Sequence, residues 1–326
     1  MKEKALAVLD VDYSAVVTST SNKIRELLRS TLHRRGLLVA ISGGIDSSVS
    51  AALAVNAIGK NKVFGLLLPE TDSASSSLSN GELLAQHLGI EYLNMDIAPT
   101  LDAIGCYQWR DDAIRTLFPD YTSAWKSKIA IRGGTAGQIN SFTLIVEDPA
   151  GSRYEKAMPL HAYRTIVAAT SYKQRIRKTV EYFHADRLNY AVVGTPNRLE
   201  YDQGFFVKNG DGSADLKPIA HLYKSQVYGL ARHFELPDII CNAIPSTDTY
   251  SLEQGQDEFY FALPYQQMDL ALWCYNNSKS PSVLASYLDI DLIKAEFIYR
   301  DIENKRRATR YLHLRPQLME SVDFGS

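Results

Sequence analysis

The stretch Ser42-Gly43-Gly44-Ile45-Asp46-Ser47-Ser48 combines backbone freedom, hydroxyl donors and one carboxylate. Glycines let a backbone approach an anion closely, and hydroxyls add donors to it. Asp46 alone would repel a phosphate, so it makes sense as a holder of Mg²⁺ against phosphate oxygens. The flanking residues position this set. The apolar run 37–41 reads as a buried parallel strand. A helical pattern resumes through Val49, Leu53 and Ile58 and stops at Gly59. A strand, a glycine turn and a helix N-terminus form a phosphate site, because the first helical N–H groups lack partners. No Gly-Lys-[Ser/Thr] follows, and no Gly-x-Gly-x-x-Gly is present, so neither common nucleotide fingerprint applies.

Further polar sets follow downstream. In Gly194-Thr195-Pro196-Asn197-Arg198-Leu199-Glu200, the acid lies just past a strand end and can converge on the same edge as Asp46. The Gly-, Asn- and Asp-rich stretch 204–215 reads as a structured loop. Lys224 sits near a helix start, an unfavourable place for a cation unless an anion is nearby. The loop 245–257 contains Ser246, Thr247 and Asp248. On spacing alone, the basic run 305–310 reads as a solvated helix end.

The elements that carry these residues alternate. A helix over 13–35 buries Ile24, Leu27, Leu28 and Leu32. Strands are expected at 63–68, 90–97 and 190–194, with a Ser-rich loop at 71–79 and a capping box, Ser79-Asn80-Gly81-Glu82, starting a helix that ends at Gly89. The segment 102–169 breaks the pattern and contains a hairpin, 142–146 with 153–158. A helix over 170–185 faces Ile176, Val180 and Phe183 inward, another buries Val227, Leu230 and Phe234, and C-terminal helices span 281–310. Such alternation predicts an α/β fold: a doubly wound parallel sheet with helices on both faces, plus an inserted hairpin and C-terminal helices. One domain is expected over 1–326, with the insertion at 102–169 and a helical region at 281–326.

Composition bounds the rest. The 326 residues are 45% hydrophobic and 22% charged, with a net charge of −2, as in a soluble globular protein rather than a dedicated nucleic-acid binder. Cys106, Cys241 and Cys274 form no paired motif, which fits a reduced cytoplasmic setting. Neither a signal peptide nor a membrane-spanning apolar run is evident.

The Ser-Gly-Gly-x-Asp-Ser turn resembles the pyrophosphate loop of the ATP pyrophosphatases. Gly194-Thr195…Glu200, Gly204-Phe205-Phe206…Lys208…Gly210-Asp211-Gly212…Asp215, Pro218…Leu222-Tyr223-Lys224, Asp257-Glu258 and Glu303-Asn304-Lys305-Arg306-Arg307 resemble, in order and spacing, the ammonia-dependent NAD synthetases. That resemblance implies an adenine nucleotide α-hydrolase-like fold and an amidation. ATP adenylates the carboxylate of deamido-NAD, pyrophosphate leaves, and ammonia displaces AMP. It also implies roles. Ser42, Gly43, Gly44, Asp46, Ser47 and Ser48 hold the pyrophosphate end of ATP, Asp46 and Glu200 hold Mg²⁺, and Arg175, Thr195, Lys224 and Ser246 contact ATP. Lys208, Asp211 and Asp215 face the acceptor, and Asp211, Lys208 and Lys224 are the catalytic set, with Asp211 as the base. Small-molecule substrates and a homodimer follow, without nucleic acid or membrane. The glutaminase domain of glutamine-using relatives is absent, so ammonia is the expected nitrogen source.

Departures from the family pattern cluster toward the acceptor. The usual Asn at the start of the Arg175 helix is Ser171, the 245–248 loop is altered, Tyr260 and Ala262 replace an acid and a glycine, and 102–169 is long. The insertion is therefore expected to reshape the acceptor pocket or the interface around it. Three other readings compete: amidation of a different carboxylate, a tRNA-modifying pyrophosphatase, and a non-catalytic nucleotide binder. Paired cysteines and basic surplus, which the second would carry, are missing, and a pure binder needs no metal-holding acids.

Overall fold

A computed structural model describes residues 6–132, 141–243, 250–252, 255, 260 and 263–322. The elements run α1 (Tyr13–Leu27), β1 (Gly36–Ala40), α2 (Ile45–Ile58), β2 (Val63–Leu67), α3 (Ser75–Leu88), β3 (Glu91–Asn94), α4 (Ala98–Ala103) and α5 (Cys106–Arg115). Then come β4 (Lys126–Arg132), β5 (Ser141–Glu147), β6 (Arg153–Ala157), α6 (Leu160–Leu188), β7 (Tyr190–Val193) and α7 (Arg198–Gln203). The chain ends through α8 (Lys224–His233), α9 (Asp238–Cys241), α10 (Tyr265–Asn276), α11 (Pro281–Leu288) and α12 (Leu292–His313).

The main sheet has four strands in the order β3-β2-β1-β7, and every pairing is parallel. Leu37, Leu38, Val39 and Leu66 are fully buried, as the apolar runs predict. On one face, α1, α2 and α8 pack a core that includes Ile24, Val49, Leu53, Val227 and Leu230. On the other, α6 covers Leu38, Phe64 and Val192 with Ile176 and Val180. This is the doubly wound architecture. Strand β1 lies between β2 and β7, so the chain leaves its neighbours in opposite directions around one crevice, where open α/β sheets bind ligands. Helices α10, α11 and α12 form a second core around Leu272, Leu284 and Ile302. Among the described residues, no helix is long and apolar enough to cross a membrane.

Four expectations are corrected. The 75–82 stretch is already helical: α3 starts at Ser75 without a side-chain cap, and the Ser79 hydroxyl donates to the Ser76 carbonyl at 3.0 Å. A serine that bonds back to its own helix is not a cap. The expected hairpin is β5 and β6 of an antiparallel sheet of three strands, β4-β5-β6, in which Thr143 lies opposite Ala157 and β4 pairs with the other edge of β5. Helix α6 begins at Leu160, ten residues before the expected start. Phe183 is 64% exposed rather than inward. The inward face of α6 also carries Lys173, Lys178, Glu181 and His184. Burial of those charges is tolerated because they are paired, Lys178 on Glu181 at 2.6 Å and Lys173 on Glu70 at 3.1 Å. Apolar periodicity therefore places Ile176 and Val180 correctly and misplaces Phe183.

Candidate active site

The turn after β1 is shaped for close backbone approach. Gly43 has φ +78°, and a Cβ there would sit 2.3 Å from the Ser77 carbonyl oxygen. Only glycine fits. The Ser47 hydroxyl donates to the Gly44 carbonyl at 3.0 Å and accepts from the Ser42 N–H at 3.2 Å. The Gly44 N–H reaches the Ser42 hydroxyl at 3.3 Å. These bonds hold the turn open at the N-terminus of α2, where no side chain caps the helix. Ser48 is different: its hydroxyl donates to the Gly44 carbonyl at 2.8 Å, and its side chain is fully buried. It braces the turn from behind.

Asp46 lies in the first turn of α2 and points into the crevice. The buried Lys224 ammonium, at the start of α8, forms an ion pair with its Oδ2. The Asn197 amide donates to its Oδ1 at 3.2 Å. Asn197 is also the N-cap of α7, in a capping box closed by Glu200 Oε2 on the Asn197 N–H at 3.1 Å. Asn197 has no role in the sequence-based set, although Asn-x-x-Glu after a strand is a capping signature. The Lys224 pKa is held above its usual value by Asp46 and Glu200 against the opposing effect of burial. Asp46, Glu200 and Lys224 all line one cavity.

Lys224 is itself fixed from behind. Asp269 on α10 accepts from the Lys224 N–H at 3.1 Å and from the Ser225 N–H and hydroxyl, both at 2.7 Å. An acid from another helix thus takes the first N–H groups of α8, beside Gln226, whose side chain accepts from the Tyr223 N–H at 2.9 Å, and sequence spacing could not reveal it.

A cavity of about 1120 Å³ opens over this corner. Its lining includes Ser42, Gly43, Gly44, Asp46, Ser47, Arg175, Thr195, Glu200, Lys208, Asp211 and Lys224, so most of the expected site residues converge. Ser48 and Asp215 do not line it. The Asp215 carboxylate accepts from the Val192 N–H at 2.7 Å and from the Tyr182 hydroxyl at 3.4 Å, pinning its loop to β7. Asp211 accepts from the Val207 N–H at 2.7 Å, and burial pushes its carboxyl up. Lys208 donates to the Tyr311 and Leu314 carbonyls at 2.9 and 3.0 Å, where the cation meets the C-terminus of α12. The Arg175 guanidinium donates to the Lys208 carbonyl at 3.3 Å. Ser246 lies outside the described residues.

The basic run is not a solvated face throughout. Lys305 pairs with Asp301 at 2.6 Å and lines the cavity, while Arg306 grips Asp202 through two bonds of 2.6 and 2.7 Å. Spacing missed the partner of Arg306 because Asp202 is 104 residues away.

The sequence model of the NAD synthase family matches residues 16–118 and 138–311. This chain belongs to the NAD synthase family. The chain is 54% identical over 316 residues to the NH(3)-dependent NAD(+) synthetase of Rhizobium meliloti (strain 1021), covering 97% of this chain and 94% of that protein. Its identity to the enzyme of the same name from Rhizobium rhizogenes (strain K84 / ATCC BAA-868) is 50%, over 96% and 95% of the two chains. The fold is similar to that of the NH3-dependent NAD synthetase from Campylobacter jejuni, with a TM-score of 0.63 and 20% identity over 95% of this chain and 100% of that one. As an NAD synthase family member, the chain is unmatched over 119–137, the stretch that contains β4.

The donor set also fits the family's magnesium. Among the described residues no cluster of three or more His, Cys, Asp or Glu could cage a metal. Asp46 and Glu200 line the same cavity as the glycine turn and together offer carboxylate oxygens there, and magnesium is held by one or two carboxylates plus substrate phosphates and water.

Proposed function

We propose that the protein is an ammonia-dependent NAD synthetase, an ATP-consuming ligase that converts deamido-NAD to NAD with release of AMP and pyrophosphate. The observation that carries this reading is the Asp46–Lys224 pair, set at the glycine turn in the same cavity as Glu200, in a chain matched almost end to end by relatives of that activity.

The residue roles follow from charge and position. Ser42, Gly43, Gly44 and Ser47 present hydroxyls and N–H groups to the β- and γ-phosphates. Ser48 supports that turn without touching the nucleotide. Asp46 and Glu200 would hold Mg²⁺, with Asn197 orienting both acids. A magnesium ion held there would offset negative charge on the phosphate oxygens and so favour pyrophosphate as a leaving group. Lys224 exchanges Asp46 for the phosphates as ATP enters, and its positive charge stabilises the departing pyrophosphate. Arg175 and Thr195 contact ATP from the facing walls. The acceptor carboxylate attacks the α-phosphorus to form an acyl-adenylate. Ammonia then adds to the acyl carbon and AMP leaves with the bonding pair. Asp211 takes the proton that nitrogen must lose, a task suited to a carboxyl made more basic by burial. Lys208 fastens the acceptor loop to α12. We place the enzyme in the cytoplasm, a reading supported by three buried cysteines that form no disulfide.

Incubation of the protein with ATP, Mg²⁺, ammonium and deamido-NAD tests the reading. Equal amounts of AMP and NAD are expected, and AMP without NAD would exclude this acceptor.

A further inference from the structure

The segment 68–74 links β2 to α3 and walls the cavity through Leu68, Pro69 and Ser73. Just beyond it, the Ser77 carbonyl packs against Gly43, so this wall borders the glycine turn. Its backbone is lightly tied. The Ser73 N–H reaches the Glu70 carbonyl at 3.0 Å, and the Pro69 carbonyl accepts from the Ile97 N–H at 3.0 Å. Side chains of two helices supply the remaining anchors.

Glu70 and Asp72 are buried and do not line the cavity. Lys173 of α6 donates to Glu70 Oε1 at 3.1 Å and to Asp72 Oδ2 at 2.5 Å. Arg110 of α5 meets the same Asp72 oxygen at 2.5 Å and Asp111 at 2.8 Å. The Tyr107 hydroxyl, also on α5, donates to Glu70 Oε2 at 2.9 Å and accepts from the Thr71 N–H at 3.4 Å. Arg177 of α6 donates to the Leu68 carbonyl at 3.2 Å and to the Ser73 hydroxyl at 3.5 Å. Leu68, Glu70, Thr71, Asp72 and Ser73 are thus each fastened to α5 or α6. Tyr107 and Arg110 fall within 102–169, so that segment also reaches the phosphate side of the cavity.

Buried charges of both signs lose hydration, and a packed apolar contact can be as stable. A fully paired network adds direction, because each carboxylate oxygen accepts only where its donor stands. We propose that Glu70, Asp72, Lys173 and Arg110 are positioning residues for ATP, holding the wall 68–77 against the glycine turn so that the nucleotide side of the cavity is formed before ATP enters. This rests on the ATP use of the ligase reading above. A preformed wall spares the nucleotide the cost of ordering a loop as it binds.

The test is Asp72→Asn, which keeps the side-chain shape and withdraws the charge shared by Lys173 and Arg110. Each cation retains a second carboxylate, Glu70 or Asp111. Calorimetric titration with α,β-methylene ATP and Mg²⁺ reads nucleotide binding without turnover, and steady-state kinetics read both substrates. The variant is expected to weaken analogue binding and to raise the KM for ATP, each about tenfold, with the KM for deamido-NAD unchanged. A lower melting temperature with unshifted ATP affinity, or equal losses for ATP and acceptor, overturns the proposal. Should Asp72→Asn fail to fold, Tyr107→Phe decides in the same assays, because it removes only the hydroxyl that joins Glu70 to Thr71. Weaker analogue binding with an unchanged acceptor KM supports the positioning role, and wild-type affinity overturns it. The two arms also separate the claims. A wild type that binds the analogue but makes no NAD refutes the ligase reading alone, whereas NAD formation with an unshifted Asp72→Asn refutes the positioning role alone.

Discussion

The Lys224 ammonium closes on the Asp46 carboxylate across 178 residues of sequence, at the mouth of the glycine turn. Lys224 is almost wholly buried and Asp46 retains 16% side-chain exposure. A buried ammonium paired to one oxygen of a half-open carboxylate is poised to take a second anion. Removal of either partner leaves the other charge uncompensated, which costs about 3 kcal/mol or more in buried pairs.

The first prediction concerns these charges. Asp46→Asn and Glu200→Gln should abolish AMP formation by at least a hundredfold while leaving far-UV circular dichroism unchanged. Lys224→Met should do the same, and both Asp46→Asn and Lys224→Met should lower the melting temperature, because each leaves its partner's charge without a counter-ion. Near-normal AMP release by a folded Asp46 or Glu200 variant would remove the metal role.

Nitrogen source is the second. Ammonium should support turnover and glutamine should not. At fixed total ammonium the rate should rise with pH, since only the unprotonated amine attacks. Glutamine use by the purified chain, at a rate matching ammonium, would contradict it.

A third prediction is a homodimer. Lys305 and Arg306 are committed to Asp301 and Asp202 of their own chain, but Arg307 and Arg310 on the same helix stay exposed. Light scattering should report twice the chain mass. A fully active monomer would show that no site is shared between subunits.

Much of this site was legible in the sequence because its parts are local. A buried parallel strand, two glycines and an orphaned helix N-terminus announce themselves within twelve residues, 37–48. Partnerships across the chain left no such trace. Asn197 meets Asp46 over 151 residues, and nothing in either segment names the other. Strand β4 was missed because Lys126-Ser127-Lys128 reads as polar loop until its edge is paired with β5 and with Ser251. The start of α6 was hidden because its first turns bury mainly small residues, Ala162 and Ala169 with Ile166 between them, which make a weak apolar signal.

The fourth prediction uses Asp269, which is fully buried behind Lys224. Burial pushes its carboxyl up to about 6, against the opposing hydrogen bonds from Ser225 and Lys224. An unfolded aspartate titrates near 3.9. The folded state therefore holds the Asp269 proton more tightly than the unfolded state does. Its contribution is fully favourable below about pH 4 and is lost as pH rises through about 6. Asp269→Asn cannot titrate, so the difference in unfolding free energy between wild type and this variant isolates the effect. Wild type should lose on the order of 2–3 kcal/mol relative to the variant between pH 4 and pH 7, from a shift of about two pKa units. Denaturant melts at several pH values measure it, and a flat difference would mean that Asp269 ionises equally in both states. The variant also separates capping from charge. An amide oxygen can still accept the Lys224 N–H, but an amide nitrogen turned toward the Ser225 N–H opposes donor to donor. Lys224 should then be set less firmly against Asp46, and AMP formation should fall even at a pH where the variant is fully folded.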